Sequence, residues 1–397
     1  MKYIKYSILI ITLSIISSCG KVSIEPTTTC INDATITIND SHPKATELQA
    51  IMDKYIAKGI PGVSVLINDD DGFWMASAGM ADIENSIEMQ PCHINKLGSI
   101  TKMMLGTLVW QLIQDGTLNI DDKMSKHLPD VANKIENGDD ITLGMLINHT
   151  SGIYDIARDL GYNLAVINDM TRSWTEEDIL NYIEGKTPTN LPGEEVNYSN
   201  SNTMLVGMII EAATGHQHGA LLKSRIFEPI GMDNTVYFDY SNNFPITHLA
   251  QGYLDLNNDG GSIQNISNLN PGSGNGYTGV YSTVTDLYRF MNALLREKTL
   301  ITPDNLEFIF DNMVEANSGS WKSSYGAIHD EQRNLLGENI HAYGHGGGDI
   351  GYSANLDFFP HNNTIFAATF NYGTNLPSAL GGEVNELRKE LYLKMAE

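Results

Sequence analysis

Ser99 and Lys102 stand three residues apart in the run Gly98-Ser99-Ile100-Thr101-Lys102-Met103-Met104-Leu105. The residues after Gly98 read as a buried helix of at least three turns, and positions i and i+3 share a helix face. The spacing therefore sets a hydroxyl and an amine side by side at a helix N-terminus. A serine hydroxyl is a weak nucleophile until a neighbouring base takes its proton. A lysine takes it only when desolvated, with a lowered pKa. Met103, Met104, Leu105, Leu108 and Val109 supply the dry flank. These four residues alone also describe an ordinary helix start, with serine as cap and lysine in solvent.

Two further motifs favour chemistry. Tyr198-Ser199-Asn200 follows the turn signal Pro192-Gly193 and precedes a helical run from Met204 to Ala212. Tyr198 and Asn200 thus fall on a loop before a helix, where side chains can enter a cleft. His345-Gly346-Gly347-Gly348 precedes strand-like residues at Leu356, Phe358 and Phe359. Glycines at a strand edge let a ligand's backbone approach closely.

With these three motifs in this order the chain resembles the serine β-lactamases and penicillin-binding proteins, a group marked by S-x-x-K and two partner motifs. The Tyr-x-Asn and His-x-Gly forms look like those of class C β-lactamases, D-alanyl-D-alanine carboxypeptidases and related esterases. Leu146-Ile147-Asn148-His149-Thr150-Ser151-Gly152-Ile153 and Ile226-Phe227-Glu228-Pro229-Ile230-Gly231-Met232 also look like family segments, so the resemblance runs from about residue 45 to the C-terminus. It implies that Ser99 forms an acyl-enzyme and that Lys102 receives or relays its proton. It implies Tyr198, as phenolate beside Lys102, as base and then as acid to the leaving group. Asn200 would hold a substrate amide, and the N–H groups of Ser99 and Gly348 would form the oxyanion hole. His345 would tune the charge around Tyr198, and Gly346 and Gly347 would line the substrate site. His149 would serve the packing of its loop.

Gly346 departs from the resemblance. Thr is frequent there in carboxypeptidases and β-lactamases, and its hydroxyl helps bind a substrate carboxylate. A site without that donor loses affinity for the carboxylate, unless another group such as Arg333 supplies it.

The elements that must position these residues follow from the pattern. Ala45 to Ala57 has helical spacing. Val63 to Ile67 and Phe73 to Ala78 flank Asn68-Asp69-Asp70-Asp71-Gly72 as a β-hairpin. The region from about 120 to 275 is mostly helical and loop-rich; strands return at about 340–373, and Leu387 to Met395 closes as a helix. The expected fold is α+β: an antiparallel sheet flanked by terminal helices, with an inserted helical lobe and the cleft between them. The hydrolase domain would span 42–397.

The chain of 397 residues is long enough for two lobes. Its net charge of −24 argues against nucleic acid, which needs clustered Lys and Arg. Lys2, Lys5 and the apolar stretch Ile8 to Ile16 read as a secretory signal over residues 1–18. Ile16-Ser17-Ser18-Cys19 resembles the bacterial lipoprotein box, which implies a lipidated Cys19, a flexible tether over 19–41 and a membrane-anchored protein of the cell envelope. Export leaves Cys30 and Cys92, for which one pairing is available and whose geometry the sequence leaves open. Asp255-Leu256-Asn257-Asn258-Asp259-Gly260 matches half of a calcium loop, but Ile266 stands where a bidentate Glu is needed. No metal or cofactor is expected. The expected partner is a small peptide, amide or ester. A D-alanyl-D-alanine carboxypeptidase-like peptidase or amidase ranks first, an esterase second and a β-lactamase third. An inactive lipoprotein that binds peptidoglycan peptides is the alternative of another class.

Overall fold

The computed structural model describes residues 24–397 except 170, 239–245, 258–261, 269–273 and 336–337. The signal segment and Cys19 lie outside the described residues. Nine antiparallel strands make one sheet: β1 (Gly62–Asp69), β2 (Gly72–Asp82), β3 (Ile87–Glu88), β4 (Val314–Glu315), β5 (Trp321–Ser323), β6 (His329–Leu335), β7 (Glu338–Gly348), β8 (Ser353–Phe359) and β9 (Thr364–Phe370). Their order across the sheet is β3-β2-β1-β9-β8-β7-β6-β5-β4. The first hairpin and the C-terminal strands therefore meet at β1 and β9, where Val63 lies opposite Phe370 and Ile67 opposite Phe366.

Alternate residues of these strands serve two cores, as the period of two requires. Val63, Val65, Ile67, Phe366, Ala368 and Phe370 pack against the terminal helices α1 (Ala45–Ile56) and α8 (Gly381–Ala396). Leu66, Ile365 and Ala367 face the opposite way, toward α2 (Ile100–Gln114) and α7 (Val284–Met291). Both faces of the central strands are covered, which is why their sequences are mostly apolar and their polar residues, such as Ser64 and Thr369, are buried. In α2 every residue from Ile100 to Trp110 is buried, the mark of a helix enclosed on all sides.

The inserted lobe comprises α3 (Leu143–Ile147), α4 (Leu160–Asn168), α5 (Glu176–Ile183) and α6 (Asn200–Thr214), with shorter turns between them. Its end departs from a mostly helical reading. Val236–Tyr237 pairs with Val280–Ser282, which pairs in turn with Asn95–Lys96. This ribbon continues as Leu97 N–H donating to Val280 O at 2.9 Å, and so carries residues 277–279 to the start of α2.

The stretch read as a flexible tether is, over its described residues, bound to the body. Cys30 and Cys92 form a disulfide. Thr27 N–H donates to Asp82 Oδ2 at 3.1 Å, Gln251 Nε2 donates to Glu25 O at 3.0 Å, and the Arg289 guanidinium pairs with Asp33. Polar composition suggested solvent; each of these groups has a fixed partner instead.

Candidate active site

Ser99 caps α2 and occupies the gap between the sheet and the inserted lobe. Its position depends on two glycine contacts. A side chain at Gly347 would strike Leu97 O at 1.9 Å, and one at Gly98 (φ +54°) would strike Gly348 O at 2.5 Å. The segment entering α2 and the end of β7 thus touch backbone to backbone. That contact brings the N–H groups of Ser99 and Gly348 into one neighbourhood, beside the positive end of the α2 dipole.

Ser99 Oγ has two partners. Lys102 Nζ lies 3.0 Å away and Tyr198 OH 2.9 Å away. Lys102 comes from the next turn of α2, and Tyr198 from the loop before α6. Lys102 Nζ also donates to Asn200 Oδ1 at 2.9 Å and to Tyr277 O at 2.7 Å. Two of the sequence motifs, Ser99-x-x-Lys102 and Tyr198-x-Asn200, thereby converge around one hydroxyl.

The electrostatics separate the two groups on Ser99. Burial drives the Lys102 amine down to about 7, although Asp155 and Asp349 pull it upward. Burial raises the Tyr198 phenol well above its usual value, with the Ser99 hydrogen bond opposing and Asp155 reinforcing the shift. Tyr198 therefore keeps its proton at neutral pH while much of Lys102 has lost its own. This departs from the expected phenolate: a dry pocket disfavours whichever form is charged.

His345 also differs from its expected part. Its Nδ1 lies 2.5 Å from Gly346 O. A carbonyl only accepts, so Nδ1 carries the hydrogen and Nε2 is left as an acceptor. That Nε2 is buried and has no partner among the described residues. Burial first, and Lys102 second, push the imidazole down to about 3, so His345 is neutral and lends no charge to Tyr198. Of the glycines beside it, Gly347 and Gly348 are needed for close approach, a side chain at 348 meeting Asn375 Oδ1 at 2.1 Å. Gly346 is not, since its nearest neighbour would be Asn355 Nδ2 at 3.7 Å.

Asp155, His329 and Tyr277 at the site were not singled out from the sequence, whereas His149 and Arg333 were. Asp155 Oδ1 accepts from Asn200 N–H at 2.9 Å and Asn200 Nδ2 at 3.2 Å. His149, with φ +63°, stacks on Tyr198 with ring centres 4.4 Å apart, so it does more than pack its own loop. His329 on β6 stacks between Trp321 at 4.3 Å and His345 at 4.1 Å. The Tyr277 carbonyl has no side-chain signature at all. Arg333 lies on β6 opposite Ile340, and its side chain lies outside the described residues. For a metal, the described residues offer one grouping, His42, Asp69 and Asp71. Asp69 there is already paired with His42 and Lys44.

Comparisons with known proteins identify the family and the fold. The family profile described as Beta-lactamase matches residues 48–388. The protein flp of Staphylococcus aureus (strain MW2) is 31% identical over 218 residues, 54% of this chain and 42% of that protein. The chain thus spans less than half the length of this curated relative. Among solved structures, a D-stereospecific amidohydrolase from Streptomyces sp. is 26% identical with a TM-score of 0.73, covering 83% of this chain and 95% of the other. A D-amino acid amidase from Ochrobactrum anthropi SV3 has a TM-score of 0.77 at 24% identity, covering 88% and 98%, and shows the shared fold.

Proposed function

The chain belongs to the β-lactamase family of serine hydrolases, and on that premise we propose that it is an amidase or peptidase that cleaves small substrates through an acyl-enzyme on Ser99. The observation that carries this reading is the double contact of Ser99 Oγ, with Lys102 Nζ at 3.0 Å and Tyr198 OH at 2.9 Å. Neutral Lys102 takes the hydroxyl proton as Oγ attacks the carbonyl carbon. The oxyanion is held by the N–H groups of Ser99 and Gly348. Tyr198 gives its proton to the departing amine and is reprotonated from Lys102, which restores both groups. Water then attacks the ester carbonyl as Lys102 takes its proton, the bond to Oγ breaks, Lys102 returns the proton to Oγ, and the acid is released. The Streptomyces amidohydrolase named above supports amides as the substrate class.

The test is covalent labelling. Incubation with a penicillin or an activated ester, followed by intact-mass analysis, should give one adduct on Ser99, and Ser99→Ala should abolish both adduct and turnover. A folded Ser99→Ala protein that keeps most of its turnover overturns the reading; an adduct-free wild type favours the binding-lipoprotein alternative. We also propose export and lipid anchoring at Cys19. Labelled palmitate should enter the wild type and not Cys19→Ala.

A further inference from the structure

Asp349 follows Gly348, whose backbone touches Gly98, the residue before the nucleophile. Gly347 meets Leu97 and Gly348 meets Gly98, so the next residues along the two segments are Asp349 and Ser99. A second route gives the same placement. Lys102 Nζ donates to Tyr277 O at 2.7 Å, and the hydroxyl of the following Thr278 reaches Asp349 Oδ2 at 3.4 Å.

The Asp349 side chain is 7% exposed. Oδ1 accepts the Ile350 N–H at 2.7 Å, and Oδ2 has only the long Thr278 contact. No ion pair engages it among the described residues. Buried carboxylates ordinarily have a charged partner. The two nearby lysines do not fill that place. Lys102 Nζ already has three close partners, Ser99, Asn200 and Tyr277. Lys96 feels the Asp349 charge but makes no ion pair with it, and its amine is engaged with the Tyr281 side chain. Beside Gly346, the described His345 offers no charge to an anion, being neutral with its lone pair directed away from the Gly346 carbonyl, and Gly346 has no side chain.

We propose that Asp349 binds a protonated amine carried next to the scissile carbonyl, so that the substrates are amides or esters of amino acids with a free α-ammonium group. This rests on the acyl-transfer reading of Ser99. The ammonium is two bonds from the carbonyl carbon, which suits a carboxylate one residue beyond an oxyanion donor. It completes the hydrogen bonding of Oδ2 and gives the carboxylate a charged group in direct contact, which neither lysine provides.

The experiment compares kcat/KM for alaninamide, in both stereoisomers, with that for lactamide, where a hydroxyl replaces the ammonium. A charged hydrogen bond is worth about ten- to a hundredfold. Wild type should prefer alaninamide by that factor, and Asp349→Asn should reduce the preference to about threefold or less. Equal rates in wild type overturn the proposal and leave the Ser99 chemistry standing. A preference that survives in Asp349→Asn also overturns it, making Asp349 a counter-charge for Lys96 alone. No turnover of either amide and no Ser99 adduct overturns both readings. Should the variant fail to fold, wild type still decides. Its preference should fade as the substrate amine loses its proton, near pH 8. The ionisable groups that feel Asp349 include Lys96, Lys102, Tyr162, Tyr277 and Tyr352. Lactamide measured at each pH divides out their own titration. A preference independent of pH overturns the proposal.

Discussion

Asp155 holds Asn200 by two hydrogen bonds to one carboxylate oxygen, from the backbone N–H at 2.9 Å and from the side-chain amide nitrogen at 3.2 Å. This fixes which way the Asn200 amide faces. Its nitrogen is turned to Asp155, so its oxygen is turned to Lys102. Asp155 is thus a positioning residue: it acts on the reaction through Asn200 and through its own charge. Asp155→Asn should lower kcat/KM for an activated ester by about ten- to a hundredfold, the worth of a charged hydrogen bond. Because Asp155 pulls the Lys102 pKa upward, the acid limb of the pH profile should also move to lower pH. A loss of rate with no movement of the limb would assign Asp155 to structure alone.

The wild-type profile itself tests the division of labour between Lys102 and Tyr198. The Lys102 amine is brought to about 7 and must be neutral to act. So kcat/KM should rise with pH through a limb near 7 and fall about tenfold per unit below it. Tyr198→Phe should be slow yet keep that limb. Should the limb vanish with the phenol, the titrating group is Tyr198 and the phenolate mechanism returns.

Gly346→Thr asks whether the site can be rebuilt for a carboxylate. The backbone has room, with nothing nearer than 3.7 Å to the added Cβ. The new hydroxyl should raise the preference for a D-alanyl-D-alanine peptide over its C-terminal methyl ester by about ten- to a hundredfold. The ratio of kcat/KM values in both proteins is the measurement. A wild type that already favours the free acid would place a carboxylate donor elsewhere, Arg333 being the first to replace.

The Cys30–Cys92 disulfide closes a loop of 62 residues. Chain entropy sets its contribution at up to about 4 kcal/mol. Cys92→Ser should lower the urea midpoint accordingly, and reduction of the wild type should produce the same shift. An unchanged midpoint would mean that the N-terminal segment is held by its polar contacts alone.

Much of the site is legible in the sequence because it is local. Ser99 and Lys102 meet through one helical turn; Tyr198 ends the loop ahead of α6, and Asn200, expected on that loop, is the first residue of the helix. The hairpin of β1 and β2 turns at Asp70 and Asp71, inside the acidic run that marked it. What escaped depends on pairing between distant segments. Tyr277 reaches Lys102 only because the strand after it is bonded to the residues before α2. A backbone carbonyl carries no residue type to search for. Asp155 and His329 look like any loop acid and any strand histidine until the lobe and the sheet edge close on Tyr198. Composition misled at residues 24–41 for a similar reason, since Asp33 finds Arg289 across 256 positions.

The contact between Gly98 and Gly348 has a consequence for how this scaffold can change. The reacting centre is registered by main chain against main chain, so its geometry owes little to the side chains around it. Gly346 flanks that seam, and a side chain there would meet nothing nearer than 3.7 Å. New selectivities are therefore open to single substitutions at the rim, at little cost to the machinery beneath, and a panel of such variants would explore substrates while the chemistry stays in place.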